Sequence, residues 1–111
     1  MKITHKNLII GTSNALIEEV EISEQNNSSY IAIGSIFPTN TKTNTRPASI
    51  DLLKEAKAIC SKPIVAIGGI NQQNIKSVVD AGVDSVCIAT AITLATDPQK
   101  TTKTLSNYFN I

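Results

Sequence analysis

At 111 residues and a formal net charge of +1, the chain can build one small domain with a real core but not two. Ten Lys and Arg against nine Asp and Glu, with no Trp, leave neither a basic footprint for nucleic acid or an anionic membrane nor a platform for stacking bases. No apolar run approaches the roughly 20 residues of a membrane span, and the N-terminus lacks a secretory apolar region, so a cytoplasmic protein is expected.

Residues 1–6 are polar and suggest no partner element. Residues 8–12, LIIGT, form a compact apolar run that predicts a buried parallel strand ending at Ser13 and Asn14. A helix is expected over residues 15–25, with Leu16, Ile17 and Val20 inward and Glu18, Glu19, Glu21 and Glu24 as one solvated face. Residues 26–29 break it, and residues 30–37, YIAIGSIF, predict the second strand. The PTNTKTNTRPAS segment that follows is the one long loop, carrying Lys42 and Arg46 without an apolar anchor. A loop of that length in a compact domain is usually functional or disordered. Ser49 stands where a cap is wanted for a helix running to about Cys60, with Ile50, Leu53, Ala56 and then Lys57 on successive turns.

Residues 63–92 organise the rest. PIVAIGGI is an apolar run of strand length that ends in Gly68 and Gly69. The next segment places Ile75, Val78 and Val79 on one helical stripe, with Asn71 as the expected N-cap and Gly82 as the stop. Residues 83–92, VDSVCIATAI, read as a second fully buried run, closed by Ala89 and Thr90 before a short helical piece over residues 91–95. Strand, helix, strand at this spacing is a βαβ unit with adjacent parallel strands. Bare backbone at two neighbouring carboxyl ends, beside a helix N-terminus, supplies N–H donors for a phosphate. Asp97 and Pro98 then open a last helix whose stripe is Leu105, Tyr108 and Phe109. Cys60 and Cys87 lack metal spacing and are expected as buried reduced thiols, and His5 as an idle surface residue.

Strands and helices alternate throughout, the pattern of parallel α/β structure. Four such units are half of a (βα)8 TIM barrel, whose usual length is about 250 residues. An open doubly wound sheet is the competing architecture.

Taken together, IIGTS at residues 9–13, YIAIGSIFPTNTK at 30–42, PIVAIGGI at 63–70 and AGVDSVCIATAI at 81–92 make the chain resemble thiamine-phosphate synthase, a phosphate-binding barrel enzyme. The PTNTK-containing segment is the specific part; GGI and AGxDxV recur in many phosphate-binding barrels. The resemblance implies strands five to eight of the barrel, so that residues 1–111 form a single C-terminal half-barrel domain. It further implies the joining of a hydroxymethylpyrimidine diphosphate to a thiazole phosphate, with release of pyrophosphate. Carried over by position, Thr39, Asn40, Thr41, Gly69, Ala89 and Thr90 would bind the thiazole phosphate. Ser13 and Lys42 would contact the pyrimidine diphosphate and serve as the catalytic pair. A compact cation such as Lys42 suits a pyrophosphate whose charge grows as it leaves, and the Ser13 hydroxyl is a donor at a strand end.

Several features depart from the family. A Gln-x-Arg-x-Lys stretch and the Asp pair that holds Mg2+ are absent, so the ion is implied by the family while its ligands are not in this chain. Arg46 is the only arginine, the four aspartates fall on predicted helices or turns, and Ala48-Ser49 replaces a family glycine. The resemblance therefore implies a chain carrying the thiazole-phosphate side, with turnover depending on whether the missing residues are supplied. The alternative is a half-barrel that binds phosphate or another subunit without catalysis. A sugar-phosphate isomerase or epimerase would need an acid and a base at strand ends, where this sequence offers Ser, Thr and Gly. Blander roles stand beside each site residue: Gly68-Gly69 as a tight turn, Lys42 as a solvated lysine, Ser13 as a helix cap, Thr90 as a strand end. Edge strands at residues 8–12 and 86–89 would be association-prone, which predicts a homodimer or a complementing N-terminal half.

Overall fold

The computed structural model describes residues 7–37 and 48–109. Four strands, β1 (Gly11–Asn14), β2 (Tyr30–Ile33), β3 (Ile64–Ile67) and β4 (Ser85–Cys87), alternate with helices. The helices are α1 (Ile17–Gln25), α2 (Ile50–Ile59), α3 (Ile75–Asp80), α4 (Thr90–Thr93) and α5 (Pro98–Ser106), and a 3-10 turn closes the chain at Asn107–Phe109. All strands pair in parallel in the order β1-β2-β3-β4. Because this order never reverses, right-handed crossovers carry the helices to one face of the sheet.

That face holds the core. Ile31, Ile33, Ile64 and Ala66 project from β2 and β3 onto Val20 of α1, Leu53 and Ala56 of α2, and Ile75 and Val78 of α3. Each large apolar side chain buried there is worth about 1.5–3 kcal/mol. Polar groups at this layer are satisfied. The buried Asn14 accepts from the Ser23 hydroxyl at 2.7 Å and donates to the Ala32 carbonyl at 3.1 Å, tying α1 to the β1–β2 pair.

The opposite face has no cover among the described residues. Register puts Ser13, Ala32, Val65 and Ser85 in one row across it, followed by Ile67 beside Cys87. Ser13, Ser85 and Cys87 are exposed, and Ile67 is 41% exposed. Parallel sheets are normally buried on both faces, so one bare face is unusual. No helix among the described residues is long and apolar enough to cross a membrane.

Local signals fall where the sequence puts them at several points. Ser49 caps α2 by accepting from Leu52 N–H at 3.1 Å, Asp97 caps α5 with Pro98 at its first position, and Gly82 follows α3 with φ of +95°. Other expectations are corrected. The first strand is Gly11–Asn14 rather than 8–12, and Leu8 and Ile9 are 52% and 81% exposed, because they precede the paired strand rather than lying in it. Leu16 is exposed, since it is the extended N-cap of α1 and lies off the helical face. Lys57 likewise faces solvent. The 83–92 run is not fully buried: β4 is an edge strand, and Cys87 is exposed while Cys60 is half-buried. Residues 1–6, His5 and Arg46 lie outside the described residues.

The four glutamates of α1 are not one solvated face. Glu19 folds back to accept from the Ala15 and Leu16 N–H groups at 2.8 and 3.1 Å. Glu24 accepts from the Ser61 hydroxyl at 2.8 Å and from the Ser61 and Lys62 amides. Lys62 completes the join, its Nζ donating to the Ser23 and Asn26 carbonyls at the end of α1, where a cation suits the helix dipole.

Candidate functional site

The carboxyl ends of β3 and β4 are built for close approach of backbone to a ligand. Ile67 pairs with Cys87, so Gly69 and Ala89 each stand two residues beyond one paired position. Gly68 and Gly69 turn the chain at φ of +109° and +67°. Gly68 also packs against Ser35: a Cβ there would lie 2.7 Å from the Ser35 Cα. Beyond β4, Ala89 is the N-cap of α4 and has no side chain to cap it. The first-turn N–H groups, starting at Thr90, therefore have no side-chain acceptor from the cap. Thr90 opens α4 rather than ending a strand, and it is exposed.

The chain leaving β2 stays with β3. Ile36 N–H donates to the Ile67 carbonyl and Phe37 N–H to the Gly68 carbonyl, each at 3.1 Å. Ala48 N–H returns to the Ser35 carbonyl at 2.8 Å. Both stems of the 38–47 span are thus tied to the carboxyl ends of β2 and β3. Thr39, Asn40, Thr41 and Lys42 themselves lie outside the described residues. Ser13 is not a helix cap, because Leu16 holds that position. It stands on the bare face of β1, level with Ala32 and Val65, four residues before Gly69. Gly69, Ala89 and Thr90 therefore come together at one end of the sheet, with Ser13 lower on the open face beside it.

The charge pattern separates this end from the rest. Asn14, Gly34, Ser35, Gly68, Gly69, Ala89 and Thr90 stand at the strand ends, without an acid or a histidine. The perturbed titrations lie elsewhere. The Ser61 hydroxyl and amide hold the Glu24 carboxyl below its ordinary value, burial and then the Glu24 charge push the Cys60 thiol up, and the bond to Asp80 raises Lys76. For Mg2+ the described residues do not fit. No three His, Cys, Asp or Glu side chains cluster among them. Asp84 accepts from Ile64 N–H at 2.9 Å, Asp80 pairs with Lys76 and Asp97 caps α5. Hard-cation sites need several oxygens converging on one point, and these aspartates are each spent on a separate contact instead.

Two residues near this architecture escape a sequence reading. Asn71 is not the N-cap of α3; Asn74 is, and its carboxamide reaches back to Gly69 and Asn71. The signal was the Asn-x-x-Asn spacing that begins two residues after Gly69. Asp84, the acid of AGVDSV, sits at the amino end of β4 and latches β3 there, with Lys57 Nζ at 3.7 Å. Its work is structural, at the end of the sheet away from the glycine turn. A cleft of about 460 Å³ runs along the free edge of β4, between Val86, Cys87 and Ile92 on one side and Leu105 and Phe109 on the other. Its lining is mostly apolar surface and includes none of Ser13, Gly69, Ala89 and Thr90.

The family model for thiamine monophosphate synthase matches residues 1–92. The chain belongs to the thiamine-phosphate synthase family. Thiamine-phosphate synthase of Pyrococcus abyssi is 43% identical over 99 residues, covering 89% of this chain and 48% of that protein. The Clostridium tetani protein of the same name is 35% identical over 109 residues, covering 98% and 52%. The solved structure of thiamine phosphate pyrophosphorylase from Pyrococcus furiosus superposes with a TM-score of 0.82 at 34% identity, covering 94% of this chain and 50% of that one. The chain spans about half the length of the curated relatives it matches.

Proposed function

We propose that residues 1–111 are a single half-barrel domain, equivalent to strands five to eight of a phosphate-binding (βα)8 barrel, and that it supplies the thiazole-phosphate side of thiamine phosphate synthesis. The observation that carries this is the convergence of Gly69, Ala89 and Thr90 at two adjoining strand ends, with the stems of the 38–47 span tied beside them. Backbone N–H groups there, with Thr39, Asn40 and Thr41, would hold the thiazole phosphate. In the reaction the C–O bond between the pyrimidine methylene and the diphosphate breaks, the thiazole nitrogen forms the new C–N bond, and pyrophosphate leaves. Lys42 would neutralise the departing charge and Ser13 would donate a hydroxyl hydrogen bond to it. As an enzyme of small soluble phosphates it would work in the cytoplasm.

The bare sheet face, the two free edges and the cleft beside β4 support a second four-unit partner. That partner would be a copy of this chain or a complementing N-terminal half, and it would bring the diphosphate grip and the Mg2+ carboxylates. The same open face favours a second reading, a phosphate-binding subunit without turnover of its own. Calorimetry with thiazole phosphate tests the site. Binding is expected, weakened about tenfold by Gly69→Asp, which sets a carboxylate against the phosphate, whereas Lys42→Ala should weaken the binding of pyrophosphate instead. No heat with the unaltered chain would remove the proposal. Pyrophosphate release on adding the pyrimidine diphosphate and Mg2+ separates catalysis from binding alone. A stable monomer in light scattering at high concentration would remove the homodimer.

A further inference from the structure

We propose that Asn74 is a positioning residue that aims the Ile70 N–H at the phosphate, an inference that rests on the site proposed above. Gly68 and Gly69 give the turn after β3 its shape but have no side chains to hold it. The Asn74 carboxamide does so from outside. Its Nδ2 donates to the Gly69 carbonyl at 3.0 Å, and its Oδ1 accepts from Asn71 N–H at 2.8 Å. Asn71 closes the ring by accepting from Gln73 and Asn74 N–H at 2.9 and 3.2 Å. Between the two bonds Ile70 is 3% exposed and anchored in the core.

The consequence follows from peptide planarity. In a trans peptide the C=O and the following N–H point in opposite directions. Drawing the Gly69 carbonyl toward Asn74 therefore turns the Ile70 N–H away from α3. Among the described residues that N–H has no acceptor, which is unusual for a backbone group in a residue so nearly buried. A phosphate oxygen is the acceptor that the rest of this strand end is suited to hold. A carboxamide is required because one side chain must donate and accept at once. A carboxylate offers only acceptors and would oppose the Gly69 carbonyl.

The test is an amide-resolved NMR titration of the full chain with inorganic phosphate. The Ile70 amide should shift and saturate together with those of Gly69 and Thr90. Asn74→Asp and Asn74→Ala should each raise the phosphate Kd at least fivefold while core amides keep their positions. Asn74→Ala removes both bonds without adding charge, so it decides the matter if the aspartate variant does not fold. Phosphate binding with the same Kd in a folded variant, or without movement of the Ile70 amide, overturns the role of Asn74 and leaves the site standing. Absence of any response in the unaltered chain overturns both.

Discussion

Gly68 and Gly82 have similar backbone and different surroundings, so replacing each by alanine isolates one physical effect. Both sit at positive φ, +109° and +95°, where a Cβ costs about 1–3 kcal/mol. At Gly82 the atoms nearest the new methyl would be those of the Lys57 side chain, the first at 3.3 Å, and an exposed lysine stem can move. At Gly68 it would lie 2.7 Å from the Ser35 Cα. Ser35 cannot swing aside, because its carbonyl accepts from Ala48 N–H and its hydroxyl donates to the Phe37 carbonyl. Overpacking of that kind adds about 1–3 kcal/mol. Gly82→Ala should therefore cost about 1–3 kcal/mol and Gly68→Ala about 2–6 kcal/mol, a large share of the ~5–15 kcal/mol available to a domain. Urea denaturation followed by circular dichroism gives both values. The midpoint should fall further for Gly68→Ala at an unchanged slope, and Ser35→Gly should recover at least about 0.5 kcal/mol of the difference in a double-mutant cycle. Equal losses at the two glycines would refute the steric account of the β2–β3 strand ends.

Asp84→Ala removes the acceptor on Ile64 N–H and the partner of Lys57. Since the carboxylate is 44% exposed, the loss should be about 1 kcal/mol in the same urea assay, and no loss would deny it a latching role. Glu24 has a depressed folded-state pKa, so its tie to Ser61 stabilises the fold above the ordinary value of 4.5 and is lost as pH falls below that through the folded value. The stability gap between the unaltered chain and Glu24→Gln should close in that window, and a gap that widens on acidification would contradict the assignment. Cys87 is exposed, whereas burial raises the Cys60 thiol, so a thiol reagent at pH 8 should react in a fast and a slow phase. Cys87→Ser should abolish the fast one; its survival would assign it to Cys60 and contradict the exposure of Cys87.

The amino-acid sequence by itself determined the alternation of strand and helix and many of the places where helices start and stop. Ser49, Asp97 with Pro98, and Gly82 act on backbone groups within a few residues, and the stripe of Ile75 and Val78 follows from helical period alone. The PTNTK and GGI segments likewise marked the family before any coordinate was needed. What only the tertiary structure decided depends on residues far apart in the chain. Strand order left one sheet face without cover among the described residues, which exposes Ile67 and Cys87 although their runs read as buried. The partner of Glu24 lies 37 residues away at Ser61, so its neighbours in sequence could show only a solvated helix face. Asn74 stands at the N-cap position of α3, yet its carboxamide reaches back to the Gly69 carbonyl, and it is the Asn71 side chain that accepts from the Gln73 and Asn74 N–H groups. Local hydrogen bonds and periodicity are written in short windows of sequence. Which face is covered, and which polar group answers another across the fold, is set by the crossing of distant strands.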